Sequence, residues 1–226
     1  MVAPGSSVAG PDSGDPADPA PQPATEPLGA DVTGRRTEVA LAGHTGNPAT
    51  ARTGLADPAG TVRATALGAL ERLGALADDD LVTALGDPDP GVRRRACELA
   101  GGRPSVPIVA LLSDPDPMVV EMAAWGLGEQ GAPAPVPALA ALSAVDGGHP
   151  EPLCREAAVA ALGAIGDPGG LPAVLAALDD KPAVRRRAAV ALAAFEGPEV
   201  EAALRRCLDD RDWQVRQVAE DLLAEG

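Results

Sequence analysis

Aromatic residues are almost missing from this chain of 226 residues, which has one Phe, two Trp and no Tyr. A single large globular core normally uses aromatic side chains as bulky filling, because each of them buries much apolar area. Ala, Leu and Val make up most of the hydrophobic fraction of 46% instead. Small aliphatic side chains favour thin layers of closely spaced helices, in which each layer covers the next.

Basic residues and long apolar runs are also scarce. Lys and Arg number 18 against 33 Asp and Glu, which gives a formal charge of −15 at pH 7. Such a field repels polyphosphates, so we expect no nucleic acid among the partners. No stretch approaches the roughly 20 apolar residues that span a bilayer. Because no basic residue precedes Arg35, we also expect no secretory signal, and we expect a cytoplasmic protein that does not bind membranes.

Cysteine and histidine, the residues of metal and nucleophilic chemistry, are few. Cys97, Cys154 and Cys207 lack the short spacing of metal or redox sites, and each falls in a helical apolar pattern. We predict that they are small buried hydrophobes in a reducing compartment. The sequence has no Gly-rich phosphate loop and no nucleophile paired with a nearby His. It therefore predicts no catalytic residue, no cofactor and no metal.

Residues 1–30 differ in composition from the rest of the chain. They are rich in Pro, Gly, Ala and acidic residues and have no helical apolar stripe. Such a segment cannot bury enough apolar surface to offset the entropy lost on ordering. We predict a disordered acidic tail over residues 1–30, followed by one repeat domain over residues 31–226.

Six segments of that domain align without gaps in one frame. Its first position is apolar, its fifth is Ala and its ninth is Leu or Ala, which places all three on one buried stripe of a helix. The first positions, 27 to 35 residues apart, are Val62, Val92, Val119, Cys154, Val184 and Val215. Shorter apolar patterns between them, such as 106–112 and 136–142, predict a partner helix in each repeat. We expect six helical hairpins and a degenerate capping repeat over residues 31–56.

The D-x-x-x-x-x-R element and the V-R-x-x-A-x-x-x-L helix resemble the HEAT-like repeats of the phycobilisome-lyase type, a branch of the HEAT and armadillo solenoids. The resemblance covers about residues 47–226. It implies an all-α, right-handed α-solenoid of stacked helical hairpins whose second helices line a concave face. Bilin lyases, adaptors and an iron-dependent hydroxylase belong to this type. The hydroxylase binds iron through His-Glu dipeptides, whereas His44 and His149 are followed here by Thr and Pro.

An Asp stands six residues before an Arg in four of the repeats. The pairs are Asp57 and Arg63, Asp87 and Arg93, Asp179 and Arg185, and Asp210 and Arg216. An arginine in the first helical turn faces the positive end of the helix dipole, so we predict that the Asp of the same repeat neutralises it. Because the element is copied in four repeats, we interpret it as a structural ladder and not as a catalytic pair.

The ladder has two gaps in adjacent repeats. Asp114 is followed by Val120 where Arg is expected, and Arg155 is preceded by His149 where Asp is expected. The loop AVDGGHPEP is inserted at the same junction. Either a binding feature or simple drift of the repeat accounts for this change.

Positions three and seven of the frame predict a partner-binding surface, because they lie on the side of the helix away from the buried stripe. The residues that we expect to bind a partner are Arg94, Glu98, Glu121, Trp125, Glu156 and Arg186. Trp125 replaces the small or charged residues of other repeats, so it either anchors an interface or packs over a neighbouring repeat. Trp213 is expected to seal the end of the stack.

We conclude from the sequence that the chain is a non-catalytic protein-binding scaffold or adaptor for a basic or mixed-charge segment. The resemblance implies an alternative, a tetrapyrrole lyase or chromophore-handling protein, for which Cys154 and His149 are the nearest candidate residues. A DNA-binding helical-repeat protein ranks last because of the charge. The identity of the partner and the oligomeric state stay open.

Overall fold

The computed structural model describes residues 1, 2 and 28–225, so most of the predicted tail lies outside the described residues. Within them, all regular secondary structure is helical. The α-helices are α1 (Leu28–Thr45), α2 (Pro48–Thr53), α3 (Gly60–Arg72), α4 (Asp78–Ala84), α5 (Pro90–Ala100), α6 (Pro117–Gln130), α7 (Val136–Ser143), α8 (Pro152–Ile165), α9 (Leu171–Ala177), α10 (Pro182–Ala191), α11 (Pro198–Cys207) and α12 (Trp213–Glu225). No helix in this part of the chain combines the length and hydropathy needed to cross a bilayer.

The helices alternate between two layers. The second helices of the six repeats are α3, α5, α6, α8, α10 and α12, and each packs against the next one in the row. Helix α1 packs against α3 and extends this row by one helix. The shorter first helices form the other layer and pair with their own second helices. The predicted α-solenoid is confirmed, with a hairpin of two α-helices in every repeat except the third.

The predicted apolar stripe forms the core. All six first positions of the frame, from Val62 to Val215, are at most 1% exposed, and the alanines four residues later are fully buried. Each fully buried Val or Leu side chain stabilises the fold by roughly 1.5–3 kcal/mol relative to an exposed one. Small residues allow close helix approach, since a Cβ on Gly163 of α8 would lie 3.0 Å from Cα of Ala191 in α10.

The helix starts follow from the turn chemistry. Asp89 precedes Pro90 of α5, and its Oδ1 accepts a hydrogen bond from the backbone N–H of Gly91 at 2.8 Å. Asp116 and Asp212 cap α6 and α12 in the same way. A carboxylate at this position satisfies an otherwise unpaired amide of the first turn, and proline loses nothing there. Local turn chemistry therefore sets where these three helices begin.

The first helix of the third repeat departs from the prediction. The apolar pattern over 106–112 forms only a 3-10 segment, Val109–Ser113. The side-chain amide of Gln130 donates to three backbone carbonyls at the end of α5 and in the loop before this segment, at 3.0–3.2 Å. They belong to Ala100, Arg103 and Val106.

Candidate partner-binding groove

The ladder of arginines and aspartates joins neighbouring repeats. Arg63 of α3 donates two parallel hydrogen bonds to Asp87 of the next repeat, at 2.6 Å from Nη2 and 2.7 Å from Nε. Its Nη1 donates to the backbone carbonyl of Asp57 at 2.8 Å. The carboxylate of Asp57 accepts from Arg35 of α1 instead. The prediction that the two residues of one repeat pair through their side chains is therefore wrong.

The same forked contact recurs along the stack at 2.7–3.1 Å. It joins Arg93 to Asp114, Arg155 to Asp180, and Arg185 to Asp210. Arg216, in the last repeat, donates to the carbonyl of Asp210 at 2.7 Å. The prediction that Asp179 belongs to the ladder is wrong, because the neighbouring Asp180 takes that position. The carboxylate of Asp179 is exposed, and it pairs with Arg206 at 3.7 Å. The turn before α10 is one residue shorter, which moves Asp180 into the ladder position.

The carboxylates of the ladder serve two neighbours at once. Oδ1 of Asp87 accepts the backbone N–H of Asp89 within its own turn at 2.8 Å, while both oxygens face Arg63. The hydrogen bond from Arg63 holds the pKa of Asp87 below its ordinary value, against the opposing effect of burial. The ladder therefore ties the start of each repeat to the helix of the preceding one.

The two predicted gaps are one missing contact. Because a ladder arginine pairs with the aspartate of the next repeat, Val120 of α6 and His149 before α8 belong to the same junction. Val120 is fully buried. Nδ1 of His149 accepts the backbone N–H of Glu151 at 3.1 Å, as Asp87 does in its own turn. The pair is lost together, so no buried charge is left unpaired.

A groove of about 490 Å³ opens between α5, α6 and α8, next to this junction. Its apolar surface comes from Met122, Trp125, Leu153 and several alanines of α8. Its charged lining residues are Glu98, Glu121, Glu129, Glu156 and Arg187. The lining therefore combines apolar side chains with mainly acidic ones.

Four of the six predicted partner-binding residues line this groove, namely Glu98, Glu121, Trp125 and Glu156. The other two lie in hollows beside it. Arg94 faces one of about 420 Å³ on α1, α3 and α5, which shares Glu98 with the groove. Arg186 faces one of about 240 Å³ on α8, α10 and α12, and binds Asp212 at 2.9 Å. The predicted surface is thus a row of three connected hollows on the second helices.

The two tryptophans differ from each other. Trp125 is 44% exposed, and one edge of its ring packs over the preceding repeat, since a Cβ on Gly101 would lie 3.2 Å from its Cζ3. It therefore packs and still presents a face to the groove. Trp213 is 65% exposed, so the prediction that it seals the end of the stack is wrong. Its position at the first residue of α12 points it away from the buried stripe.

The cysteines are free and buried. The thiol of Cys154 lies 3.3 Å from the carbonyl oxygen of Pro117, to which it donates, and burial raises its pKa to about 11. Burial raises the pKa of Cys97 to about 12. A thiol in such surroundings is a poor nucleophile at neutral pH. Among residues 28–225, no three His, Cys, Asp or Glu side chains come together as metal ligands would.

Some groove residues were not predicted. Glu129 follows the ninth position of the frame and Leu153 precedes the first, so neither occupies the positions chosen from helical geometry. The hollow beside Arg94 was also missed, because its other arginines come from three different helices. Only the offset between neighbouring helices brings these side chains together.

Comparison with known proteins agrees with this architecture. A family model described as HEAT repeats matches residues 78–148 and 144–224. A designed armadillo repeat protein is similar with 19% identity, 78% of this chain and 98% of that chain covered, and a TM-score of 0.56. The complex of CpcE and CpcF of phycocyanin lyase from Nostoc sp. PCC7120 is similar with 26% identity, 78% and 75% coverage, and a TM-score of 0.54.

A designed armadillo repeat protein in complex with the peptide (KR)4 is similar with 18% identity, 84% and 97% coverage, and a TM-score of 0.52. The comparison with curated proteins found no match. The family model covers more than half of the chain, and its two matches span the repeats from α4 to α12. The chain therefore belongs to the HEAT-repeat family.

Proposed function

We propose that the protein is a non-catalytic scaffold that holds a basic or mixed-charge peptide segment in the groove on α5, α6 and α8. The observation that carries this proposal is the half-exposed ring of Trp125, surrounded by four carboxylates and a single arginine. HEAT and armadillo folds present long preformed surfaces of this kind, which lowers the ordering cost of binding.

The chemistry of the groove selects a cationic segment. The face of an indole ring attracts a Lys or Arg side chain, by about 0.5–2 kcal/mol depending on exposure. Glu121 lines the groove one helical turn before the ring and favours the same charge, whereas Glu156 is already bound to Arg187 at 3.5 Å. Met122, Leu153 and the alanines of α8 offer an apolar surface to the aliphatic part of such side chains. Tryptophan is also among the residues that most often dominate binding energy at interfaces.

The similar proteins support a protein partner in general terms. One designed armadillo repeat protein was solved with a basic peptide, and CpcE was solved in complex with CpcF. These likenesses concern the fold, so the choice of a basic segment rests on the groove itself. A location in the cytoplasm is part of the proposal, and the three free buried thiols fit a reducing compartment.

The test is fluorescence anisotropy with a labelled (Lys-Arg)4 peptide and the full-length protein. Trp125→Ala should weaken binding by about tenfold or more, because it removes the anchoring ring. Glu121→Arg should also weaken it by placing a cation beside the peptide. The matched controls are Trp213→Ala and Glu220→Arg on the exposed surface of α12, which should bind like wild type.

Equal affinity of Trp125→Ala, Glu121→Arg and the two controls would reject this groove as the binding site. Circular dichroism of every variant checks that the helices are intact. Binding that depends on net charge alone would weaken Glu220→Arg as much as Glu121→Arg, so this control separates a local groove from a general acidic field.

A second candidate, non-covalent handling of a tetrapyrrole, is favoured by the likeness to the phycocyanin lyase complex and by the groove volume of about 490 Å³. A covalent step at Cys154 is not part of it, because that thiol is buried with a raised pKa. Titration with a bilin or haemin decides between the two candidates. A visible absorbance shift that Trp125→Ala abolishes, without any binding of the basic peptide, would favour the tetrapyrrole.

A further inference from the structure

Three arginines without an ion pair lie together in one hollow of this acidic protein. Among the described residues, most arginines form ion pairs with carboxylates, in the ladder or on the surface. Arg36, Arg72 and Arg94 form none, and all three line the hollow on α1, α3 and α5. In a chain with a formal charge of −15, three guanidinium groups without a carboxylate in one hollow are a local excess of positive charge.

The hollow is built so that these groups are accessible. Arg72 lies over Gly43 of α1, where a Cβ would come 2.7 Å from its Nη1. Arg95 lies over Gly68 of α3 in the same way, again at 2.7 Å from Nη2. Arg36 donates to the hydroxyl of Thr65 at 3.3 Å. Arg36, Arg72 and Arg94 are all exposed, so their guanidinium groups can reach an outside anion.

The two carboxylates of the hollow are already used. Oδ1 of Asp89 accepts the N–H of Gly91 as the N-cap of α5. Glu98 binds Arg95 at 2.7 Å. Neither carboxylate forms an ion pair with Arg36, Arg72 or Arg94. This arrangement differs from the second arginine triplet, in which Arg185, Arg186 and Arg187 all have carboxylate partners.

The sign of the charge changes along one continuous surface. Glu98 lines both the arginine hollow and the acidic groove around Trp125. Arg94 and Glu98 are four residues apart on α5, which corresponds to a rise of about 6 Å along the helix. A bound segment that passes from one hollow to the other therefore meets a basic surface and then an acidic one.

We propose that the hollow on α1, α3 and α5 is an anion-binding subsite for an acidic stretch of the same partner peptide whose basic stretch occupies the acidic groove. The partner segment is bipolar. Guanidinium groups bind carboxylate or phosphate oxygens through paired N–H donors, so Asp, Glu or a phosphorylated side chain fits the subsite. The anion subsite stands independently, while its coupling to a basic stretch rests on the proposed function.

A peptide fits this surface better than a nucleic acid. A nucleic-acid strand carries negative charge along its whole length, so its continuation would meet Glu121, Glu129 and Glu156 in the adjoining groove. A bipolar peptide has the complementary sign in both halves, and electrostatic complementarity also excludes wrong registers.

The experiment measures binding to the full-length protein by anisotropy with four labelled peptides. They are (Lys-Arg)4, (Asp-Glu)4, and the two fusions of these halves, in both orders, through a short Gly-Ser spacer. One fusion should bind at least about tenfold tighter than (Lys-Arg)4, because the second contact becomes intramolecular. A phosphoserine version of the acidic half distinguishes phosphate from carboxylate as the preferred anion.

The decisive variant is Arg72→Gln with Arg94→Gln. In this variant the fusion peptide should bind no tighter than (Lys-Arg)4, and (Asp-Glu)4 should not bind. The affinity for (Lys-Arg)4 itself should be unchanged. Arg211→Gln is the matched control, since Arg211 is an exposed arginine outside the hollow, and it should leave all affinities unchanged.

The outcomes separate this inference from the proposed function. If (Lys-Arg)4 binds through Trp125 and neither fusion binds tighter, the anion subsite is rejected and the proposed function stands. If (Asp-Glu)4 binds through Arg72 and Arg94 while (Lys-Arg)4 does not bind, the bipolar partner is rejected together with the proposed function. A short single-stranded oligonucleotide that binds the hollow more tightly than the acidic peptide would overturn the choice of a peptide.

Discussion

Helix α8 is joined to its two neighbours by different chemistry. Towards α10, Arg155 of α8 and Asp180 form a forked ion pair with both bonds at 2.7 Å, and the two side chains are 8% and 2% exposed. Towards α6, the corresponding positions are Val120 and His149, which carry no ion pair. The helices meet through small residues on both sides, since a Cβ on Gly128 would lie 3.0 Å from Cα of Ala161 and one on Gly163 would lie 3.0 Å from Cα of Ala191, so only the ion pair distinguishes the two junctions.

The two members of a ladder ion pair can be replaced together at little cost, whereas removing one member alone destabilises the fold. A buried ion pair offers little net stability over a well-packed apolar contact, because two charges lose their hydration. Removing one member leaves the other buried and unpaired, which is costly. Loss of both at the junction of α6 and α8, with His149 keeping the turn hydrogen bond, avoids that cost.

The largest effect is expected from Asp180→Ala, which breaks the buried pair and leaves Arg155 uncompensated. The free energy of unfolding should fall by about 3–5 kcal/mol, as measured by urea denaturation. Asp179→Ala is the matched control, because the neighbouring carboxylate is exposed and outside the ladder. Equal losses in the two variants would show that the forked contact has no special cost when broken.

A smaller effect is expected when the missing contact is installed. Val120→Arg alone should destabilise the fold, since it buries a cation without a partner, whereas His149→Asp alone keeps an acceptor for the N–H of Glu151. The double variant should recover about 1–3 kcal/mol relative to the sum of the single changes. Strict additivity in this cycle would mean that Val120 and His149 do not belong to the same junction.

The smallest effect concerns pH. The hydrogen bond from each partner arginine holds the pKa of Asp87, Asp114 and Asp180 below the ordinary value, against burial. The stability that this lowering contributes is fully present above the unfolded pKa of about 3.9. It is lost as pH falls through the lowered folded values. The free energy of unfolding should therefore drop below about pH 4.

The double variant Val120→Arg with His149→Asp sharpens this prediction, since it adds one carboxylate with a partner. The free energy of unfolding of this variant should fall more steeply with acid pH than that of wild type. The difference in free energy of unfolding between wild type and Asp180→Ala should become smaller as the pH falls. Urea denaturation at several pH values from neutral to strongly acidic measures both trends. If the stability difference between wild type and Asp180→Ala stays constant down to the lowest pH, the ladder carboxylates do not have the lowered pKa on which this prediction rests.

Much of the fold was predictable because the relevant signal is local. The stripe that runs through Val62, Ala66 and Leu70 follows from helical periodicity within nine residues, and every repeat states it again. The caps at Asp89 and Asp116 depend on neighbours two residues away. The 3-10 segment Val109–Ser113 was missed because a short apolar pattern does not distinguish a 3-10 turn from an α-helix.

The groove was predicted only in part. Helical geometry identified Trp125 and three of the glutamates around it, since all of them occupy outward positions of the frame. It could not show that Arg94 and Arg186 face other hollows, or that Arg36 and Arg72 join Arg94. Residues from different helices line each of these hollows, so periodicity within one helix does not bring them together.

The sequence by itself determined the kind of element, its period and the side that each helix buries, because these depend on contacts within a few residues. Only the tertiary structure decided which repeat supplies the partner of each arginine, and which charges share a hollow. Both depend on the offset between stacked repeats. An arginine side chain is long enough to reach the turn of its own repeat or that of the next repeat, so its position in the sequence does not show which of them it contacts. For this reason Asp87, and not Asp57, holds the side chain of Arg63 through its carboxylate.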